Sequence, residues 1–359
     1  MVASFDAWGY FFLEAGAGLE RRHFGIDHCA AHEVLVQVAG CGLCHTDLGF
    51  MDGTVRTKQA PPLVLGHEIS GVVVAAGDDF LDLVGSRVLV PAVLPCGECT
   101  LCRAGRDNIC RRQLMPGNDF NGGFASHVVV PGNFLCPVPD VLDGFDLWQL
   151  AVISDAVTTP YQSLQRSGLR PGDLAIVIGV GGIGTYLVQH AKNAGAHVIA
   201  VDIDDGKLSV AHKQGAEYTL CARDMSERDL KQAIKSLVAE HNLPRYQWKI
   251  FEASGAVAAQ RSAFALLGFG AILGIVGFTM DKLELRLSNL MAFDADVFGN
   301  WGCRPAHYPE VLKQVLDGQI ELLANIEQHP LDEINDVIAE AQGHRLQRRA
   351  ILVPEIPAT

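Results

Sequence analysis

Two patterns of apolar and polar positions divide this chain. Up to about residue 153 the apolar residues come in short, β-branched runs at 33–38, 69–76, 87–90 and 124–130. Alternation and β-branching of this kind predict strands. Polar clusters stand at the strand ends, GCGLCHTD at 40–47 and GHE at 66–68. From about residue 171 continuous apolar runs alternate with helical periodicity. Residues 174–178, 198–201, 248–251 and 271–276 predict buried strands, and 183–194, 207–214, 226–238 and 256–267 predict helices. Ser226 and Asp229 form a capping box at the start of the third helix. This β-α-β alternation predicts a doubly wound parallel sheet. After about residue 296 it fades into amphipathic segments at 307–316 and 332–341 and a last strand at 349–353. The predicted organisation is an α/β chain: residues 154–295 form a nucleotide-binding domain inserted into a β-rich catalytic domain, 1–153 and 296–359.

Composition sharpens this reading. At 359 residues the chain exceeds what one core usually supports. With 49% hydrophobic and 19% charged residues it reads as well-buried and globular. A formal charge of -13 gives no general attraction to nucleic acid or to anionic membranes, so neither is expected as a partner. The first residues lack a basic leader and apolar core, and the longest apolar runs stop well short of a membrane span. A cytoplasmic protein is therefore expected. The 10 cysteines are clustered, which favours metal ligation over disulfides.

The glycine turn GVGGIG at 179–184 lies between a predicted strand and a predicted helix. Gly179 makes the turn, Gly181 and Gly182 let backbone amides approach a pyrophosphate, and Gly184 lets the helix pack on the sheet. Asp202 ends the next strand, eighteen residues beyond Gly184, where a carboxylate accepts from ribose hydroxyls and repels a 2′-phosphate. The expected cofactor is NAD. Lys207 is a candidate for the same ribose, or a solvated surface lysine.

Cys96, Cys99, Cys102 and Cys110 have the spacing C-x2-C-x2-C-x7-C, which suits a closed tetrahedral zinc site in a lobe at 94–112. Bacterial ferredoxins place three residues and a trailing proline around the fourth cysteine, whereas here there are seven and Arg111 follows. Cys44, His67 and Asp155 offer three different zinc donors, leaving a fourth position open for water or substrate. Spacing does not single this set out. Asp47 and Glu68 stand beside the candidate ligands, where carboxylates orient them, and Glu68 is a further possible ligand.

The order of the segments G-x-CHTD ending at Asp47, GHE ending at Glu68, the four-cysteine lobe, D-x-x-x-T-x-Y from Asp155 and the glycine loop resembles that of the zinc-dependent medium-chain alcohol dehydrogenases over nearly the whole chain. The resemblance implies a GroES-like catalytic domain and an inserted Rossmann domain. It implies catalytic zinc on Cys44, His67 and Asp155, structural zinc on Cys96, Cys99, Cys102 and Cys110, and NAD at the glycine loop. By the same likeness Thr46 relays the alcohol proton, Thr159 contacts the nicotinamide, Ile183 backs it, and the chain forms a homo-oligomer, dimer or tetramer. Two departures stand out: many relatives carry cysteine or glutamate at the position of Asp155, and Gly49 replaces the histidine that often ends the proton relay.

The segments 115–127, 277–282, 287–293 and 299–303 further resemble family members that oxidise a ring secondary alcohol on a CoA thioester. Such a substrate carries phosphates, for which Arg56, Lys58, Arg111, Arg112 and Arg304 are candidates. The competing expectations are a small non-CoA alcohol or polyol, hydride addition to a conjugated enoyl thioester, and a non-enzymatic NAD-binding protein.

Overall fold

The computed structural model describes residues 5–142 and 144–355, and its contacts divide into two units. One comprises the described residues through Thr158, Gly302–Gly318, and those from Leu322 on; the other is Thr159–Trp301 with Gln319–Glu321.

The first unit is built around the long strand Glu33–Gly42. It pairs antiparallel with Glu68–Ala76 along most of its length, with His127–Pro131 on its other side, and with Arg349–Val353 at its far end. Strands Arg87–Val90 and Cys136–Pro137 extend one edge, and Ile326–Pro330 the other. Val34, Val36, Val38, Ile69, Val73, Val88, Val90 and Leu352 are all essentially inaccessible and share one core. Each such side chain contributes about 1.5–3 kcal/mol on burial, so the β-branched runs hold one face of the sheet on a shared core. This packing brings the turn after Gly42 and the start of Glu68–Ala76 side by side, with Gly42 opposite Glu68 in the register.

The predicted strand at 124–130 begins only at His127. Residues 124–126 are tied instead to the first strand, Phe5–Phe12: Tyr10 N donates to Phe124 O and Ser126 N to Trp8 O.

The second unit carries a six-stranded, wholly parallel sheet in the order Tyr218–Cys221, His197–Asp202, Leu174–Ile178, Lys249–Glu252, Ile272–Ile275, Asp296–Gly299. The chain reverses its direction of travel between Leu174–Ile178 and Lys249–Glu252, and in open α/β sheets ligands bind beyond the strand ends at that point. Leu174–Ile178 is buried throughout, as its unbroken apolar run requires. The capping box forms as read: Ser226 Oγ accepts from Asp229 N at 3.2 Å, opening helix Glu227–Glu240.

Three corrections concern the division of the chain, the smallest being that Gln319–Glu321 go with the second unit. Residues 296–301 go with the parallel sheet, because Asp296–Gly299 supplies its sixth strand. Residues 154–158 go with the first unit. The strand at 296 reads poorly from the sequence because it is an edge with little burial, so apolar periodicity is weak there. Among the described residues no helix is long and apolar enough to cross a membrane.

Candidate active site

Three local structures of the first unit deliver donors to one spot. Cys44 caps the helix His45–Met51, His67 precedes strand Glu68–Ala76, and Asp155 ends the 3-10 helix Leu147–Ser154. Potential ligand atoms of Cys44, His67, Glu68 and Asp155 all lie within 4.8 Å of one another. Asp155 Oδ2 is 3.8 Å from His67 Nε2 and 4.0 Å from Cys44 Sγ.

The donors fit a zinc ion. Neither buried nitrogen of His67 makes a well-formed hydrogen bond, although Asp47 Oδ1 lies 3.4 Å from Nδ1. A buried imidazole without such bonds is costly unless a ligand completes it. A tetrahedral site with arms of about 2.0–2.3 Å has edges of roughly 3.3–3.8 Å, close to the separations seen here. Thiolate and carboxylate together balance a dication.

Asp47 braces the site from behind. Its Oδ2 accepts from Cys44 N at 3.0 Å and its Oδ1 from Gly66 N at 3.1 Å, so one carboxylate ties both ligand-bearing turns. Burial lowers the His67 pKa, but the Asp47 carboxylate and the Cys44 sulfur outweigh it and hold the imidazole well above its ordinary value. Glu68 is fully buried and forms a two-pronged pair with Arg349, Nε to Oε2 at 2.8 Å and Nη2 to Oε1. Burial raises the Glu68 pKa and Arg349 opposes it. Burial works against the Arg349 charge, and Glu68 more than restores it. One of its oxygens also lies within 4.8 Å of the other candidate donors.

The four-cysteine lobe closes as its spacing requires. The Sγ separations are 3.4 Å for Cys96–Cys110 and Cys99–Cys102, 3.7 Å for Cys99–Cys110 and 3.9 Å for Cys96–Cys102. These are far beyond a disulfide and match the edges of a tetrahedron with arms of about 2.3 Å. Backbone amides favour thiolate: the Glu98 amide chief among them lowers Cys96 to about 6, and Cys99 is also lowered. Burial pushes Cys102 up to about 12.

In the second unit the glycine turn joins Leu174–Ile178 to helix Gly184–Asn193. A side chain at Gly184 would come 1.8 Å from Gly179 O, whereas a Cβ at Gly181 would meet nothing within 4 Å. The turn is thus closed where helix meets strand and open where a pyrophosphate needs approach; Gly182 is exposed. Asp202 Oδ2 accepts from Val180 N at 2.8 Å, and its Oδ1 accepts from Ile203 N and Asp204 N. It anchors the turn as well as ending the strand. Ile183 is half-buried and caps the helix, and Thr159 is buried on helix Thr158–Ser167. The Lys207 side chain is exposed on helix Asp205–Lys213. Thr46 Oγ1 lies 3.8 Å from Cys44 Sγ.

Of the cations expected to meet phosphates, three are engaged. Lys58 pairs with Asp119, Arg112 with Glu98 and the Cys96 sulfur, and Arg304 with Asp107. Arg56 and Arg111 have no ion-pair partner among the described residues. Sequence reading missed Arg349, which opens an apolar strand 281 residues from Glu68 and carries no local signal. It also missed Glu252, whose buried Oε1 accepts from Ser254 N, Ser254 Oγ and Gly255 N beside the glycine turn.

Comparison with known proteins agrees with this architecture. Residues 30–140 match the alcohol dehydrogenase GroES-like domain, and residues 182–317 the zinc-binding dehydrogenase family. An alcohol dehydrogenase from Geobacillus stearothermophilus is 30% identical over 322 residues, 89% of this chain and 91% of that protein. The crystal structure of the alcohol dehydrogenase of the archaeon Aeropyrum pernix superposes with a TM-score of 0.84 at 27% identity, covering 97% of this chain and all of that one. Two further structures of the same fold, from Sinorhizobium meliloti and Escherichia coli, hold NADP and NADH at 27% and 23% identity. With a relative this similar along nearly its whole length and both domains matched, the chain belongs to the zinc-binding medium-chain alcohol dehydrogenase family.

Proposed function

We propose that this dehydrogenase oxidises a ring secondary alcohol on a CoA thioester to the conjugated ketone with NAD, the reaction of 6-hydroxycyclohex-1-ene-1-carbonyl-CoA dehydrogenase in anaerobic aromatic degradation. The observation that carries alcohol oxidation is the convergence of Cys44, His67 and Asp155, beside a Glu68 that pairs with Arg349. Bound zinc supplies Lewis acidity to the alcohol oxygen, and bound NAD accepts the hydride. Cys44, His67 and Asp155 would hold the catalytic ion, and Cys96, Cys99, Cys102 and Cys110 the structural one. Thr46 is assigned to take the alcohol proton, and Asp47 and Glu68 to orient the ligands. Thr159 and Ile183 are assigned to the nicotinamide, and Gly179, Gly181, Gly182 and Gly184 to the pyrophosphate.

Asp202 and Lys207 are assigned to the adenosine ribose. A carboxylate has about four acceptor positions, so the backbone bonds to Asp202 leave room for a ribose hydroxyl while its charge disfavours a 2′-phosphate. The CoA assignment rests on the segments 115–127, 277–282, 287–293 and 299–303. The first of these lies against the site: a Cβ on Gly122 would come 2.1 Å from Gly66 O, and one on Gly117 2.7 Å from Gly66 N. The residues next to His67 are thus covered by this loop. Arg56 and Arg111 are the remaining candidates for the CoA phosphates.

A homo-oligomer, dimer or tetramer, is part of the proposal. Support comes from the edge strand Asp296–Gly299, paired on one side only among the described residues, with exposed Phe278, Met280, Leu287, Met291 and Trp301 in the same stretch of chain. The reducing cytoplasm is the proposed compartment, since a four-thiolate site needs reduced cysteines.

The test is a kinetic panel comparing this CoA ester with simple cyclic and acyclic secondary alcohols. Comparable kcat/KM for the simple alcohols would overturn the CoA assignment. It would favour a dehydrogenase of a small non-CoA alcohol. Cys44→Ser should abolish turnover while sparing NAD binding; retained turnover would remove the catalytic-zinc assignment.

A further inference from the structure

Of the three candidate zinc ligands, Cys44 and His67 are fixed through the two-armed Asp47 carboxylate. Asp155 receives no such brace from Asp47. It stands at the end of a 3-10 helix, with φ −146° and ψ −60°. Helices of this kind have poor hydrogen-bond geometry and hold their ends loosely unless something else fixes them.

Three hydrogen bonds to other elements hold the residue just before it, one of them from Ala92 N to Ser154 O at 3.3 Å. Ser154 Oγ donates to Ile69 O at 2.9 Å, linking the helix end to the strand that follows His67 and Glu68. The phenol of Tyr308 donates to Ser154 O and accepts from Ala92 N at 3.2 Å. Tyr308 is 1% exposed and Ser154 wholly buried, so neither bond competes with solvent. The tyrosine hydroxyl has two main-chain partners, Ser154 O and Ala92 N, and also meets the Thr158 side chain. Thr158 adds a contact from its Oγ1 to Asp155 O at 3.4 Å.

We infer that Tyr308 and the Ser154 hydroxyl together position the Asp155 carboxylate and so set how firmly the three-donor site retains its ion. This rests on reading Cys44, His67 and Asp155 as zinc ligands. Removing the hydroxyl keeps the ring and its packing, but leaves Ser154 O with only the 3.3 Å bond from Ala92 N. Loss of partners that orient metal ligands typically costs about 10–100-fold in affinity. Tyr308→Phe should therefore release one zinc to chelator roughly 10–100-fold more readily, with the four-cysteine ion unaffected.

The experiment uses the zinc-replete full chain, counts zinc per chain during chelator titration, and records the visible spectrum after cobalt(II) exchange. The variants are Tyr308→Phe, Ser154→Ala, Asp155→Asn and Val311→Ala. Val311 is buried on the same helix as Tyr308 and has no bond to this site, so Val311→Ala reports loss of packing alone. Earlier release and an altered cobalt spectrum in Tyr308→Phe, absent in Val311→Ala, support the inference. Release and spectrum like the parent's overturn it while leaving the ligand assignment standing. A parent whose zinc content is indifferent to Asp155→Asn overturns the ligand assignment itself. If Tyr308→Phe gives no folded protein, Ser154→Ala decides: it cuts the bond from Ser154 Oγ to Ile69 O, the other half of the inferred support, and parental release there overturns the inference equally.

Discussion

Arg349→Met isolates the electrostatics beneath the candidate zinc site. The side chains of Arg349 and Glu68 are 8% and 0% exposed, so the substitution leaves a buried carboxylate without its ion-pair partner among the described residues. Removing one member of a buried pair costs about 3–5 kcal/mol, and each kcal/mol moves Tm by about 2–4 °C at this size, so a fall of roughly 6–20 °C is expected. In the variant the burial that raises the Glu68 pKa persists and the guanidinium that lowers it is lost. The folded-state value then moves further above the unfolded value of about 4.3. Between those two values the folded state binds more protons than the unfolded chain, so stability falls as pH rises through that window. The deficit relative to the parent should accordingly be larger at pH 8 than at pH 5.5. Urea unfolding of the zinc-replete proteins at both pH values measures it, and Glu68→Gln with the double variant completes a cycle. Because the double variant leaves no charge unpaired, its cost should fall short of the sum of the single costs by at least about 2 kcal/mol. Additive costs with the same deficit at both pH values would refute the reasoning.

Gly184→Ala and Gly181→Ala should separate packing from cofactor approach. The first puts a methyl group into Gly179 O and should lower Tm and dinucleotide affinity together, while the second has open space and should spare Tm yet weaken binding at least about 10-fold by fluorescence titration. In the metal-stripped lobe, iodoacetamide should alkylate Cys96 with a midpoint near its pKa of about 6 and leave Cys102, at about 12, unmodified at neutral pH; peptide mass analysis reads both. Asp202→Asn keeps an acceptor for Val180 N and removes the charge, so the preference for NADH over NADPH should fall by about 10-fold or more. An unchanged ratio would show that the carboxylate does not select the cofactor.

What could be read from the sequence divides along a physical line. The nucleotide unit was legible because its signals are local: a fully buried strand must be a continuous apolar run, a tight phosphate turn must be glycine, and a capped helix announces its first residue. The four-cysteine lobe was legible for the same reason, since its ligands lie within 14 positions and their spacing nearly dictates the closure. The edge strand Asp296–Gly299 was misassigned because little of it is buried, and hydrophobic periodicity records burial.

The candidate active site obeys the opposite rule. Cys44 and Asp155 are 111 positions apart, and residue patterns leave each with an ordinary explanation; only the likeness to a family joined them. The residues holding them are further away still. Arg349 and Tyr308 act through one guanidinium and one hydroxyl, and such contacts leave no period, spacing or composition behind. Their positions follow from the chain's return: the described residues from Leu322 on, and Gly302–Gly318, pack with the first unit after the nucleotide unit has been made. A chain that ended at the parallel sheet would keep Cys44, His67 and Asp155 but lose the cation that neutralises Glu68 and the phenol that tethers Ser154. The insertion is thus compatible with this site only because the chain comes back to support it. The C-terminal segments contribute none of the candidate zinc ligands, yet they supply the partners of Glu68 and Ser154 beside them.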